Sequence, residues 1–266
     1  MDLSDGDSMH AALKSSRPQV VLHCAAYGMD YREQSVQQAI SINVLGTQLL
    51  VGAAAAAGVA RFIHVGSCFE YGDKSEPVSE SDVLEPIGMY GATKAAGTLL
   101  TIQQSRALDL PAIVLRLFGI YGAYDREDKL IPRVIRACLA GTPIDLTGGE
   151  QVRDYTFIGD AVRAFVSLAT VEPFPSGEIV NLAGGAPHSI RRIGESTAKL
   201  LNGEALLRWG AQPYRPDEMK TLTARTEKAK RLLAWEAATS LEDGLRQTVQ
   251  WYESQSPVNC LDCQHG

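Results

Sequence analysis

Arg61-Phe62-Ile63-His64-Val65-Gly66-Ser67 is a short β-rich run that ends in a hydroxyl and is followed by Glu70-Tyr71-Gly72. It reads as a strand, and its neighbours decide the fold. Residues 19–26 are almost continuously apolar, as a parallel strand covered on both faces must be. Between the two, Val36, Ile40 and Val44 recur every fourth residue, and the pattern continues through an alanine run to a helix stop at Gly58. Downstream, a helix around Tyr90 precedes a further strand over residues 112–118. Strand and helix alternate, so the expectation is an α/β protein with a parallel sheet and right-handed crossovers.

Open sheets of this kind bind ligands outside the carboxyl ends of their strands, which is where Ser67 falls. Tyr90-Gly91-Ala92-Thr93-Lys94 adds matching chemistry, because on a helix it sets a phenol and an ammonium one turn apart on one face. A phenol ionises near pH about 10, so its use as a base near neutrality needs a neighbouring cation. Taken singly, a serine at a strand end is usually a turn residue, and a Tyr-x-x-x-Lys occurs on many amphipathic helices.

Order and spacing lift these pieces above chance. They are joined by His23-Cys24-Ala25-Ala26, Ile42-Asn43-Val44-Leu45-Gly46-Thr47, Leu115-Arg116-Leu117-Phe118-Gly119-Ile120-Tyr121-Gly122 and Arg153-Asp154-Tyr155-Thr156-Phe157-Ile158-Gly159-Asp160. Over nearly its whole length the chain resembles the extended short-chain dehydrogenase/reductase family of the epimerase/dehydratase type. Members of that family act on nucleotide-activated sugars with NAD or NADP. The resemblance implies a Rossmann-like, doubly wound parallel sheet with a smaller C-terminal substrate-binding part. It makes Tyr90 the acid/base. Lys94 is the residue that binds the nicotinamide ribose and lowers the Tyr90 pKa, and Ser67 the holder of the reacting sugar oxygen. Ala25, Ala26 and Phe118 would line the coenzyme, with Asp2 and Leu3 at its adenine. Arg153 and Arg215 match positions that hold the substrate diphosphate, a role suited to a planar, permanently charged fork. Helices around Asn43 and from Tyr90 onward resemble those that pair the family's homodimers.

Departures from the pattern are equally informative. No G-x-x-G-x-x-G turn occurs, although such a turn lets backbone N–H groups approach a pyrophosphate. Asp2-Leu3-Ser4-Asp5 looks like the segment just after the family's third strand. The expectation is therefore a chain that starts late by two βαβ units, about 60 residues, with a sheet lacking its first strands and weak coenzyme binding. Cys68-Phe69 stands where 4,6-dehydratases carry an Asp-Glu pair, so elimination of water is not expected. Gly119 replaces an Asn common in epimerases. The form of residues 66–72 looks most like reductases of 4-keto-6-deoxyhexoses, which is the favoured reading. The alternatives are a nucleotide-sugar 4-epimerase and a catalytically silent binding module. The residue that would choose NAD over NADP belongs to the missing region.

Composition fits this picture: 266 residues, 45% hydrophobic, 21% charged, net charge −6. No basic stripe with interleaved aromatics points to nucleic acid. No run reads as a membrane span or signal peptide, so a cytoplasmic location without a membrane partner is expected. Residues 1–122 are expected to form the coenzyme part, with 151–182 returning to it. Residues 123–150 and 183–252 would form the substrate part, and 253–266 a flexible tail. Cys24, Cys68 and Cys138 read as core residues. Cys260 and Cys263 lack a second ligand pair, and His10, His64 and His188 are isolated, so no metal site is expected. Asp160, Ser189 and Ser240 read as helix caps.

Overall fold

The structure is a computed structural model that describes residues 2–30, 32–215 and 218–255. Its central sheet has four strands in the order Val20–His23, Arg61–Ser67, Ala112–Leu117 and Ile179–Leu182, every neighbouring pair parallel. Alternation along each strand divides the side chains between two faces. On one face Ile63, Ile113, Leu115 and Val180 pack against Ala164 and Leu168 of helix Ile158–Thr170 and against Ala229 and Leu233 of helix Glu227–Leu233. On the other, Phe62 and Ala112 meet Met9 and Leu13 of helix Gly6–Ser16 together with Leu50, Val51 and Ala54. With helices on both faces, the sheet is doubly wound and Rossmann-like.

Leu50, Val51 and Ala54 belong to a helix that runs unbroken over Val36–Ala56. At 21 residues it is long and apolar enough, by length and composition, to cross a membrane, which corrects the expectation that no run reads as a membrane span. Here 44% of its most apolar 18-residue stretch is buried inside the protein. Its segment Ile40–Gly46 is wound as a π-helix, which turns Asn43 inward. The Asn43 side chain donates to the Tyr27 carbonyl at 2.7 Å and to Thr93 Oγ1 at 2.9 Å, tying the loop after the first strand to helix Gly88–Ala107. At Gly97 a Cβ would collide with the Asn43 carbonyl, so the two helices cross at a distance that only glycine permits.

Helix Gly88–Ala107 places Tyr90 in its first turn and Lys94 one turn later, reaching strand Arg61–Ser67. Beyond it, strand Val152–Asp154 pairs parallel with Thr221–Leu222 and antiparallel with Pro187–Ser189, which carries Arg153 to the strand ends. Tyr121, Ile131, Ile135, Ile193 and Leu245 form a separate core among helices Leu130–Ala140, Ile190–Lys199 and Leu241–Gln255.

Some local expectations are corrected. Asp160 is not a cap: helix Ile158–Thr170 starts before it, and its buried carboxylate instead accepts from Thr239 N at 3.0 Å and Thr239 Oγ1 at 2.9 Å. The last helix continues to Gln255, past the expected start of the tail at 253, because Leu245, Thr248 and Val249 keep it docked. Cys260 and Cys263 lie outside the described residues. Ser189 does cap its helix, accepting from Arg192 N at 3.1 Å.

Candidate active site

Strand Arg61–Ser67 ends in a 3-10 turn, Cys68–Glu70, that fixes the serine from both sides. The Ser67 Oγ accepts from Phe69 N at 3.2 Å, and the Ser67 N–H donates to Glu70 Oε1 at 2.8 Å, a reciprocal capping box. Ser67 and Tyr90 line one cleft of about 440 Å³, together with Phe69, Phe118, Gly119 and Arg153. The Phe69 ring stands edge-on to Tyr90, with centroids 5.8 Å apart. Lys94 lies beneath, 2% exposed, and donates from Nζ to the Val65 carbonyl at 2.6 Å.

Burial governs the electrostatics. It pushes the Tyr90 phenol upward, opposed by the Ser67 hydroxyl, so the phenol is a protonated donor in this state. The lowering expected from Lys94 is not found: the Ser67 hydroxyl is what opposes burial, and the nearby Cys68 and Glu70 push the phenol further up. Lys94 itself is brought down to about 8 by burial, against the pull of Glu70 and Cys24 toward the charged form. His23 is lowered to about 4 by burial and by the Lys94 charge. His64, paired with His23 across the strands, is pushed well below its ordinary value for the same reasons, and neither of its ring nitrogens has a hydrogen-bond partner. Both imidazoles are neutral spacers beside Lys94. Asp154 also lines the cleft; burial raises its carboxyl to about 6, while its Oδ1 accepts from Gly185 N at 2.9 Å and its Oδ2 is unpartnered. Burial drives the Cys68 thiol up to about 12, so it stays protonated.

Ser67, Tyr90, Phe118 and Arg153 are thus brought together, with Lys94 below them. Ala25 and Ala26 are exposed just past the end of the first strand, beside Cys24, which lines the cleft. Asp2 and Leu3 sit elsewhere: Asp2 accepts from Ser4 N at 2.8 Å and closes a turn, while a Cβ at Gly46 would meet the Leu3 carbonyl at 2.8 Å. Arg215 is not brought to Arg153. It lines a second groove with Arg32, Arg126, Arg133 and Arg136. Arg153 is engaged by Glu218 at 3.1 Å and by the Met219 carbonyl at 2.6 Å. Met29, Lys129, Tyr155 and Leu222 also line the cleft and were not anticipated. Tyr155 adjoins Arg153 and could have been found; Met29 and Leu222 sit in loops and edges whose sequence carries no such signal. Among the described residues, no group of His, Cys, Asp and Glu could hold a metal ion.

Residues 1–183 match the model of the NAD dependent epimerase/dehydratase family. The chain is 30% identical over 255 residues to the UDP-glucuronate 4-epimerase of Thermodesulfobacterium geofontis, covering 94% of this chain and 77% of that one. It is 30% identical over 213 residues to the uncharacterized UDP-glucose epimerase YtcB of Bacillus subtilis, covering 80% of this chain but only 66% of the relative's length. Other relatives are dTDP-glucose 4,6-dehydratases, such as that of Haemophilus influenzae at 29% identity. The solved structure of MoeE5 in complex with UDP-glucuronic acid and NAD superimposes with a TM-score of 0.86 at 31% identity, covering 95% of this chain and 85% of that one.

Proposed function

The chain belongs to the NAD dependent epimerase/dehydratase family, and on that premise we propose that it carries out NAD-dependent oxidation and re-reduction at C4 of a nucleotide-activated sugar, as a 4-epimerase. The observation that carries this reading is the Ser67 and Tyr90 pair in one cleft above the buried Lys94 ammonium. Relatives named as 4-epimerases support epimerisation over the 4-ketoreductase that residues 66–72 suggested. At positions 68 and 69 a protonated thiol and a phenyl ring offer no acid–base pair for elimination, which argues against dehydration although several relatives are dehydratases.

The residues present fit the nicotinamide half of the coenzyme, whereas no glycine-rich turn for its pyrophosphate occurs in the sequence. The strand ends carry small side chains at Ala25 and Ala26, and Lys94 Nζ spends one of its three protons on Val65 O, leaving donors for ribose hydroxyls. When bound, NAD supplies the hydride acceptor and donor. Ser67 Oγ hydrogen-bonds the C4 oxygen, while Tyr90, once ionised with its own proton released to solvent, would take the C4 hydroxyl proton as the ketone forms and return it as the alkoxide reappears. Arg153 offers the fork for the diphosphate once Glu218 yields it. Epimerisation requires the 4-keto sugar to present its other face before Tyr90 returns the proton.

A second reading is favoured by one observation: burial holds Tyr90 in the protonated form that donates to a ketone oxygen, as a 4-ketoreductase requires. The purified protein should be incubated with NAD and UDP-glucuronic acid or UDP-glucose, with proton NMR of the sugar and absorbance at about 340 nm followed together. Appearance of the C4 epimer without net coenzyme change supports the epimerase. Stoichiometric oxidation of NADH by a 4-keto-6-deoxy sugar nucleotide supports the reductase instead.

A further inference from the structure

Directly behind the cleft lies a buried polar chain that the reaction itself does not use. Glu70 is 0% and Arg116 1% exposed, and Arg116 Nε donates to Glu70 Oε2 at 2.7 Å. The other carboxylate oxygen accepts both the Ser67 N–H at 2.8 Å and Thr98 Oγ1 at 2.9 Å. Arg116 Nη1 donates to Tyr71 OH at 2.7 Å, and that hydroxyl donates to Asn181 Oδ1 at 2.7 Å. Asn181 is fixed in turn, its Nδ2 donating to the Val78 carbonyl at 3.2 Å. The chain therefore links three adjacent strands of the sheet, Arg61–Ser67, Ala112–Leu117 and Ile179–Leu182, and ends on one backbone amide.

An ion pair sealed from water is weak evidence for stability, because desolvation offsets the attraction and apolar replacements are often neutral or better. Room has nevertheless been kept for this one. A Cβ at Gly66 would stand 2.8 Å from Glu70 Oε1 and 3.1 Å from Arg116 Cγ. Neither Glu70 nor Arg116 lines the cleft. Their route to it is the Ser67 amide.

We propose that the Glu70–Arg116 pair is a positioning device for Ser67: Glu70 clamps the serine amide, Arg116 holds the Glu70 carboxylate against it, and together they set where the Ser67 hydroxyl meets the sugar oxygen. This rests on the C4 oxidoreductase reading for its catalytic consequence, whereas the clamp on the amide does not.

Two double variants separate position from stability. Glu70→Met/Arg116→Met removes both charges and the acceptor of the Ser67 N–H. Glu70→Gln/Arg116→Met removes the charges but keeps an amide oxygen for that N–H. Amide hydrogen exchange at Ser67 should be protected in the wild type and the Gln/Met protein and fast in the Met/Met protein, with global melting temperatures of the two variants alike. Turnover should fall by up to about 10²-fold in Met/Met at little-changed KM, as misplacement of a reacting group does, and recover in Gln/Met. Equal Ser67 exchange in all three proteins, or wild-type kcat in Met/Met, overturns the proposal. If the wild type turns over no nucleotide sugar, the exchange pattern alone decides the clamp, and the functional reading fails separately.

Discussion

Lys94 Nζ reaches the carbonyl of Val65 at 2.6 Å, two residues before Ser67 on the same strand. One hydrogen bond thus ties the catalytic helix to the strand that delivers the serine, and it holds an ammonium where water does not reach. The placement suits a ribose-binding cation and is costly for the fold.

That cost is testable through Lys94→Met. Burial brings the folded pKa from 10.5 to about 8, so between those values the unfolded chain binds more protons and wild-type stability rises with pH. Below pH about 8 the buried charge is a burden on the order of 3 kcal/mol. Denaturant melts at pH 7 should show the Met variant more stable than wild type. Its stability should lack the rise above pH 8, and its turnover should be lost. A variant less stable than wild type at pH 7 would contradict this account of the site.

Tyr90→Phe removes one hydroxyl and leaves the ring against Phe69. Turnover should drop by about 10²–10⁴-fold, the usual weight of a general acid–base. Coenzyme affinity, measured by calorimetric titration, should change little. Near-wild-type turnover would take Tyr90 out of the mechanism.

Asp154 gives a pH signature of opposite sign to that of Lys94. Burial raises its carboxyl from 3.8 to about 6, so the native state binds the extra proton in that window and stability is lost as pH rises through it. Asp154→Asn keeps an acceptor for Gly185 N and removes the charge. It should flatten the decline between pH 4 and 6 and gain on the order of 3 kcal/mol at pH 7. Thermal melts of both proteins across pH 4–7 give the comparison.

Self-association is the fourth prediction. Val36 and Ile40 on helix Val36–Ala56, and Leu99 and Leu100 on helix Gly88–Ala107, are exposed apolar side chains on two helices that pack together. Such a surface suits a second copy of the chain. Light scattering at micromolar concentration should give a dimer for the wild type and a monomer for Leu99→Glu; a wild-type monomer would count against the pairing.

Much of the architecture was legible because it depends on short-range pattern. The run 61–67 and the helix from Tyr90 reappear with nearly the expected bounds, since alternation and turn residues act locally. The π-wound stretch Ile40–Gly46 was not legible: it exists because Asn43 finds partners at Tyr27 and Thr93, and Thr93 is distant in sequence. Asp160 misled for a similar reason, looking like a cap until Thr239 supplied its bonds.

The sequence by itself determined the family, the doubly wound α/β class and the grouping of Ser67, Tyr90 and Lys94, because each is written in residue types at fixed spacing along the chain. Only the tertiary structure decided that Arg153 and Arg215 line different grooves, that Tyr90 is protonated and Lys94 weakened as a cation, and that Glu70 and Arg116 meet behind the serine. Those outcomes rest on desolvation and on contacts between strands far apart in sequence, and both are properties of what surrounds a residue in space.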